Sequence, residues 1–187
     1  MEKVTIGIVG AGFASHFHCR SFAKVAGIHV RVKSAADVDL ARAAALARNF
    51  GLEEFHADYR ALLNDPEIDV IDICTPPFLH PAMTMEALEA GKHVICEKPL
   101  TGYFGAPGDP EPIGDRVCRE AMYASALSDL EKLETAVRES DKLFMYAENY
   151  VYSPNILKAA EIIRARKSKI LFMKGEESLK GSTSPVA

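Results

Sequence analysis

The sequence lacks the features that mark several large classes of protein. Positive charge is not in excess: 22 Lys and Arg stand against 26 Asp and Glu, a formal net charge of -4. That balance offers no electrostatic footprint for nucleic acid or for an anionic membrane surface. No apolar run reaches the roughly 20 residues of a membrane-spanning helix. The residues after Met1 pass straight into a strand pattern, without a basic and apolar leader. The expectation is a soluble, cytoplasmic protein. Cysteine is also sparse. Cys19, Cys74, Cys96 and Cys118 form no C-x-x-C pair, which excludes a zinc ribbon and a thioredoxin-type redox site. Cys74 and Cys96 sit in apolar runs, where cysteine behaves as a small hydrophobe, so reduced core thiols are expected.

What the chain does have is apolar residues, 48% of 187. This is enough for one full domain with part of a second. Near its start, Val4-Thr5-Ile6-Gly7-Ile8-Val9-Gly10-Ala11-Gly12-Phe13-Ala14-Ser15 reads as a strand, a glycine turn and a helix start. Gly10 and Gly12 fill the first two places of a G-x-G-x-x-G/A fingerprint, with Ser15 in the third. The first glycine permits a tight turn, and the second lets backbone approach a pyrophosphate without a Cβ between. The helix behind presents free N–H groups and the positive end of its dipole. Alone the motif is weak, because glycines also mark ordinary turns.

The rest of the chain supplies context. Helix patterns over 13–25, 40–50, 59–64 and 81–90 alternate with strand patterns over 28–36, 54–56, 69–74 and 92–96. Short connections between them predict a parallel sheet covered on both faces. Asp37 follows the second strand about twenty residues past the glycine turn, where such folds place the carboxylate that bonds the adenosine ribose. The competing role for Asp37 or Asp39 is a cap on the next helix. An acid there disfavours a 2′-phosphate and so favours NAD, although Arg31 and Lys33 lie nearby and keep NADP possible. His16, His18 and Cys19 look like metal ligands, but residues two apart on a helix point away from each other, and no metal site is expected.

At Glu97-Lys98-Pro99 the sequence resembles the glucose–fructose oxidoreductase / inositol dehydrogenase (Gfo/Idh/MocA) family. The matching pieces are Gly10-Ala11-Gly12, Asp37, Thr75-Pro76 with His80, Glu97-Lys98-Pro99 and Ala147-Glu148-Asn149-Tyr150, spread over roughly the first 155 residues. The resemblance implies a Rossmann-type doubly wound α/β domain over residues 1–150. It implies that 151–187 begin an α+β substrate and oligomerisation domain. Gly10, Gly12, Phe13 and Ala14 would hold the pyrophosphate and Asp37 the ribose. Thr75, Pro76 and His80 would line the cofactor groove, and Glu97 would face the nicotinamide ribose. Lys98 would stand beside nicotinamide C4 and the substrate hydroxyl, with a cis bond to Pro99. Oxidising a secondary alcohol needs a base or charge stabiliser near the hydroxyl while hydride leaves, which suits Lys98 as the catalytic residue. The implied activity is hydride transfer between NAD(P) and a sugar or polyol, by a possible homo-oligomer. The alternative is a non-catalytic dinucleotide-binding or scaffolding module.

Later residues depart from the family pattern. Residues 101–117 form a long Gly/Pro-rich loop, either a partial lid with Tyr103 and Phe104 as its contacts or a surface insertion. A long helix over 119–140 carries Met122, Leu127, Leu130, Leu133 and Val137 on one stripe, read as core. A sixth strand over 143–147 and a helix from Ser153-Pro154 to about residue 166 follow. Ile170-Leu171-Phe172-Met173 reads as one more strand, and 174–187 as polar chain with no element. The family's Asp/His helix has no counterpart, so a fragment or truncated reading frame is expected.

Overall fold

The computed structural model describes residues 3–174, in two compact units that divide between Glu148 and Asn149. The first unit contains strands β1 (Lys3–Val9), β2 (His29–Ala36), β3 (Glu54–His56), β4 (Val70–Ile73), β5 (His93–Cys96) and β6 (Phe144–Tyr146). They form a single sheet in the order β3-β2-β1-β4-β5-β6, and every neighbouring pair is parallel. Parallel strands need crossovers, and these are α1 (Phe13–Phe22), α2 (Leu40–Phe50), α3 (Arg60–Leu63) and α4 (His80–Glu89). The short α5 (Ile113–Arg116) and the long α6 (Arg119–Glu139) connect β5 to β6. The order reverses between β1 and β4, the switch point where doubly wound sheets open a crevice at their carboxyl edge.

Strands covered on both faces read as continuous apolar runs, and two cores result. On one face Val9, Ile71, Ile73, Val94 and Cys96 pack with Leu62, Ala87 and Leu88, and with Ala136 and Val137 of α6. On the other face Ile6, Ile8, Ala35 and Val70 pack with Ala11, Cys19 and Leu46. The helix ends follow local chemistry. Asp39 caps α2 by accepting from the Ala41 N–H at 3.0 Å, and Gly51 ends it with φ 69°.

Three expectations need correction. The stripe on α6 is core only in its second half: Leu133 is buried, whereas Leu127 and Leu130 are 38% and 36% exposed. A 21-residue helix is about 31 Å long, more than twice the length of the β5 and β6 strands it covers. Its first half therefore runs past the sheet. The stretch over 101–117, read as a loop throughout, contains one short helix, α5. Residues 170–173 are not a strand. Leu171 and Phe172 are 90% and 82% exposed, and 168–174 carry no regular structure. An apolar run supplies strand propensity, but a strand exists only with an edge to bond, and none among the described residues pairs with it.

The second unit comprises a 3₁₀ turn at Asn149–Tyr152 and α7 (Pro154–Ala165), which starts with Ser153 at the N-cap and Pro154 in the first turn. The reading of 175–187 as chain without an element lies outside the described residues. No helix among the described residues is long and apolar enough to cross a membrane.

Candidate functional site

The carboxyl edge of the sheet is a continuous line of main-chain bonds. The N–H groups of Gly10, Cys74, Glu97 and Asp37 donate to Ala36 O (2.8 Å), Val9 O (2.7 Å), Ile73 O (3.0 Å) and His56 O (3.1 Å). The residue just past each strand end is thereby fixed beside its neighbour. Gly10, Asp37, Thr75 and Glu97 gather on one edge for this reason, although they are far apart in sequence.

Gly10 has φ +92°, and a Cβ there would lie 2.7 Å from Cys74 O. The turn passes so close to the end of β4 that only glycine fits. Gly12 is different: a Cβ would meet nothing within 4 Å, so the space over the start of α1 is open. No side chain caps that start, and the first-turn N–H groups of the helix face this space. Ser15 is buried and its hydroxyl donates to Gly12 O at 2.6 Å, bracing the turn from below. Phe13 is 76% exposed beside Phe17, with ring centroids 4.7 Å apart.

Asp37 accepts from the Ala11 N–H through Oδ2 at 2.7 Å and from the Asp39 N–H through Oδ1 at 2.8 Å. It ties the glycine turn to the end of β2, while Asp39 takes the capping role. A carboxylate has about four acceptor sites, so capacity remains for hydroxyl donors. Arg31 and Lys33 do not share this environment. Arg31 pairs with Glu53 (2.9 Å) and Glu67 (2.7 Å), and Lys33 pairs with Asp65 (2.6 Å). At about 3.3 Å per residue, they lie about 20 and about 13 Å back along β2 from Asp37.

On the other side of the switch point, Thr75 is half-buried with its hydroxyl 3.6 Å from the Met83 sulfur, and Pro76 is exposed at the head of the turn. Lys98 is exposed, and the Lys98–Pro99 bond is cis. Glu97 accepts from the Lys98 N–H through Oε2 at 2.8 Å. His80 was expected to line the groove, but it is fully buried. Its Nδ1 lies 2.8 Å from Pro99 O and its Nε2 2.9 Å from Thr75 O. It is a strut joining the two loops, set beneath them because α4 starts at that residue and turns the ring inward.

Two residues that sequence reasoning left without a role complete the edge. His18, on α1, places Nδ1 2.8 Å from Asp72 Oδ2 and Nε2 3.1 Å from Glu97 Oε1. Asp72 is fully buried in β4, on the same face as Val70. Burial pushes its carboxyl up, and the His18 hydrogen bond pulls the other way. Burial alone would lower the His18 imidazole, but bonds to Asp72, Cys74 and Glu97 outweigh it and raise it far above the usual histidine range. The His18 bond holds Glu97 below the usual carboxylate range. The available signal was Asp72 itself, an acid inside an otherwise apolar run that reads as a strand buried on both faces. His18, Asp72 and Cys74 also bring their ligand atoms within 4.8 Å of one another. Both ring nitrogens of His18 are engaged, by Asp72 and Glu97, and Cys74 Sγ lies 3.6 Å from His18 Nδ1. The chemistry of the set is that of a hydrogen-bonded cluster. His16 stays apart, with Nδ1 2.8 Å from Gly12 O.

Residues 4–105, more than half of the chain, match the sequence model of an oxidoreductase family with an NAD-binding Rossmann fold, Gfo/Idh/MocA. The chain belongs to this family. Among curated Gfo/Idh/MocA proteins, levoglucosan dehydrogenase of Pseudarthrobacter phenanthrenivorans is 32% identical over 170 residues, covering 87% of this chain and 37% of that protein. Inositol 2-dehydrogenase 1 of Saccharopolyspora erythraea is 39% identical over 99 residues, covering 52% and 29%. A solved levoglucosan dehydrogenase in complex with NADH superposes with a TM-score of 0.71 at 29% identity, covering 88% of this chain and 40% of that one. The scyllo-inositol dehydrogenase of Lactobacillus casei shares the fold, with a TM-score of 0.70 at 22% identity over 89% of this chain and 42% of its own. The chain thus spans well under half the length of these proteins. The family's cofactor is NAD, and the residues present fit it, with open space above Gly12, an uncapped helix start and acceptor capacity on Asp37.

Proposed function

We propose that this chain carries the cofactor half of an NAD-dependent oxidoreductase that moves a hydride between nicotinamide and a secondary alcohol of a sugar or polyol. The observation that carries this reading is the gathering of the Gly10–Gly12 turn, Asp37 and Glu97–Lys98 along one sheet edge across the β1/β4 switch point. Gly10, Gly12, Phe13 and Ala14 form the pyrophosphate cradle, and Asp37 takes the adenosine ribose hydroxyls. Its charge, with Arg31 and Lys33 engaged elsewhere, favours NAD over NADP. Thr75 and Pro76 border the groove, and His80 holds its two loops together. Residues 151–187 begin a substrate and oligomerisation domain.

Bound NAD supplies the hydride acceptor. The chain's own task is to orient the alcohol and to manage its proton. Lys98 is the one exposed ionisable side chain of the Glu97-Lys98-Pro99 segment, so it accepts the hydroxyl proton or stabilises the charge left by its departure. Glu97 has both oxygens engaged and acts as an anchor, not a base. On the remaining rim, Phe104 packs edge-on against Phe78 with ring centroids 6.2 Å apart. This contact supports the 101–117 loop as a partial lid over the β4 loop.

The test is NAD+ reduction with a panel of polyols, together with NADH binding read by cofactor fluorescence. Lys98→Met should keep NADH affinity and lower turnover by about 100-fold. Unchanged turnover would remove Lys98 from the chemistry, and absence of NADH binding would remove the reading altogether.

A further inference from the structure

Asp72 is a fully buried carboxyl group for which the proposed reaction has no use. It sits within a sheet face where an aliphatic side chain would contribute by burial, and an unpaired carboxylate there is costly. Its partner is His18, 54 residues away in sequence and 2.8 Å away in space. The other ring nitrogen of His18 meets Glu97, 79 residues away, at 3.1 Å. A neutral imidazole has one N–H, and would turn a lone pair toward one of the two carboxylates. Only an imidazolium donates to both.

We propose that His18 is a positioning residue of the cofactor edge: an imidazolium clamp between Asp72 and Glu97 that fixes the Glu97 carboxylate and the Glu97–Lys98 peptide. The inference rests on the proposed function, since what the clamp positions is the nicotinamide end of that site. Glu97 Oε1 is held by His18 and Oε2 by the Lys98 N–H. Without His18 the carboxylate keeps only the bond to its own neighbour's amide, which does not fix its rotation. With His18 the free lone pairs of both oxygens point in set directions, available to hydroxyl donors, and the backbone that launches Lys98 is held. Asp72 is the buried anchor that keeps the imidazole charged and in register. The other ionisable groups facing His18 are thiols. Burial raises Cys74 at the end of β4 to about 12 and Cys19 on α1 to about 11, so neither takes the imidazolium proton near neutral pH. Phe22 closes the remaining side, its ring 6.1 Å from that of His18.

The experiment uses the whole chain. Two-dimensional 15N NMR of the histidine rings, with His18 assigned by His18→Gln, should show both ring nitrogens protonated from about pH 5 to about pH 9, while an exposed histidine titrates near about 6.5. Glu97→Gln should shift the His18 signals. In NADH fluorescence titrations, His18→Gln and Glu97→Gln should each weaken binding about 10-fold, and the double variant no further, because one residue acts through the other. A merely structural role is separated by His18→Gln combined with Asp72→Asn, which removes the stranded buried charge. The inference expects that variant to regain thermal stability without regaining NADH affinity. Recovery of both would overturn it, as would a His18 ring that titrates in the ordinary range. If the parent chain bound no NADH, the proposed function would fall, and the His18 ring signals alone would then decide whether the clamp exists.

Discussion

At the amino edge of the sheet, Lys33 bonds Asp65 at 2.6 Å and Glu67 at 3.1 Å, Arg31 reaches Glu53 and Glu67, and Lys92 donates to Asp65 O and Ile68 O. At the carboxyl edge, Gly12 faces open space, α1 starts without a side-chain cap, and Lys98 is exposed. Both edges are rich in charge, but the first uses its charges on itself. The Asp65 bond raises the Lys33 ammonium, and the Arg31 bond leads in lowering the Glu67 carboxyl, as expected of ion-paired groups, while Arg31 Nε is left without a partner. The second edge satisfies only its supports, Ser15, His80 and the His18 cluster, and leaves the groups above them with donors and acceptors to spare. A ligand site is therefore marked less by its charged residues than by the incomplete pairing above a fully paired base.

The largest expected effect comes from Gly10→Ala. A Cβ would meet Cys74 O at 2.7 Å on a backbone at φ +92°, so roughly 2–4 kcal/mol of stability should be lost, read by urea denaturation, along with NADH binding. Asp37→Ala comes next. It removes the acceptor of the Ala11 N–H as well as the proposed ribose contact, and NADH affinity should fall about 10- to 100-fold by fluorescence titration.

How much of this was legible in the sequence depended on distance along the chain. The six-stranded alternation and the glycine turn are local patterns, and their neighbours in sequence define them. The clamp is not local. His18 meets Asp72 and Glu97 only because α1 packs over β4 and β5, and helix spacing shows His16 and His18 diverging without showing where His18 arrives. His80 was assigned to the groove because position in a motif says nothing of the direction a ring takes. The apolar run at 170–173 shows the converse: propensity was visible, but no edge among the described residues bonds it.

A pH series sharpens the contrast through the cluster. The folded Glu97 carboxyl is depressed, so its stabilisation is present above its unfolded value of about 4.3 and is lost as pH falls through the lower folded value. The folded His18 imidazole is raised, so its contribution is complete below about 6.5 and is lost progressively as pH rises from there to the much higher folded value. The parent should therefore be most stable between about pH 4.5 and about 6.5 and lose stability steadily as pH rises above that range, where the unfolded imidazole gives up its proton and the folded one keeps it. His18→Gln strands buried Asp72, so this variant should become more stable on acidification from pH about 7 to about 5 as Asp72 takes up a proton; thermal melts measure it. The smallest effect on the site belongs to the opposite edge. Lys33→Met should lower the melting temperature while leaving NADH affinity within about twofold, because distant sites are nearly independent.

The central claim is that the carboxyl edge of this chain holds a nicotinamide dinucleotide through the glycine turn and Asp37. A fluorescence titration of the chain with NADH, repeated with NADPH, tests it most directly. The account predicts saturable NADH binding and weaker NADPH binding, because Asp37 opposes a 2′-phosphate. Absence of saturable NADH binding, or equal binding of both, would contradict it.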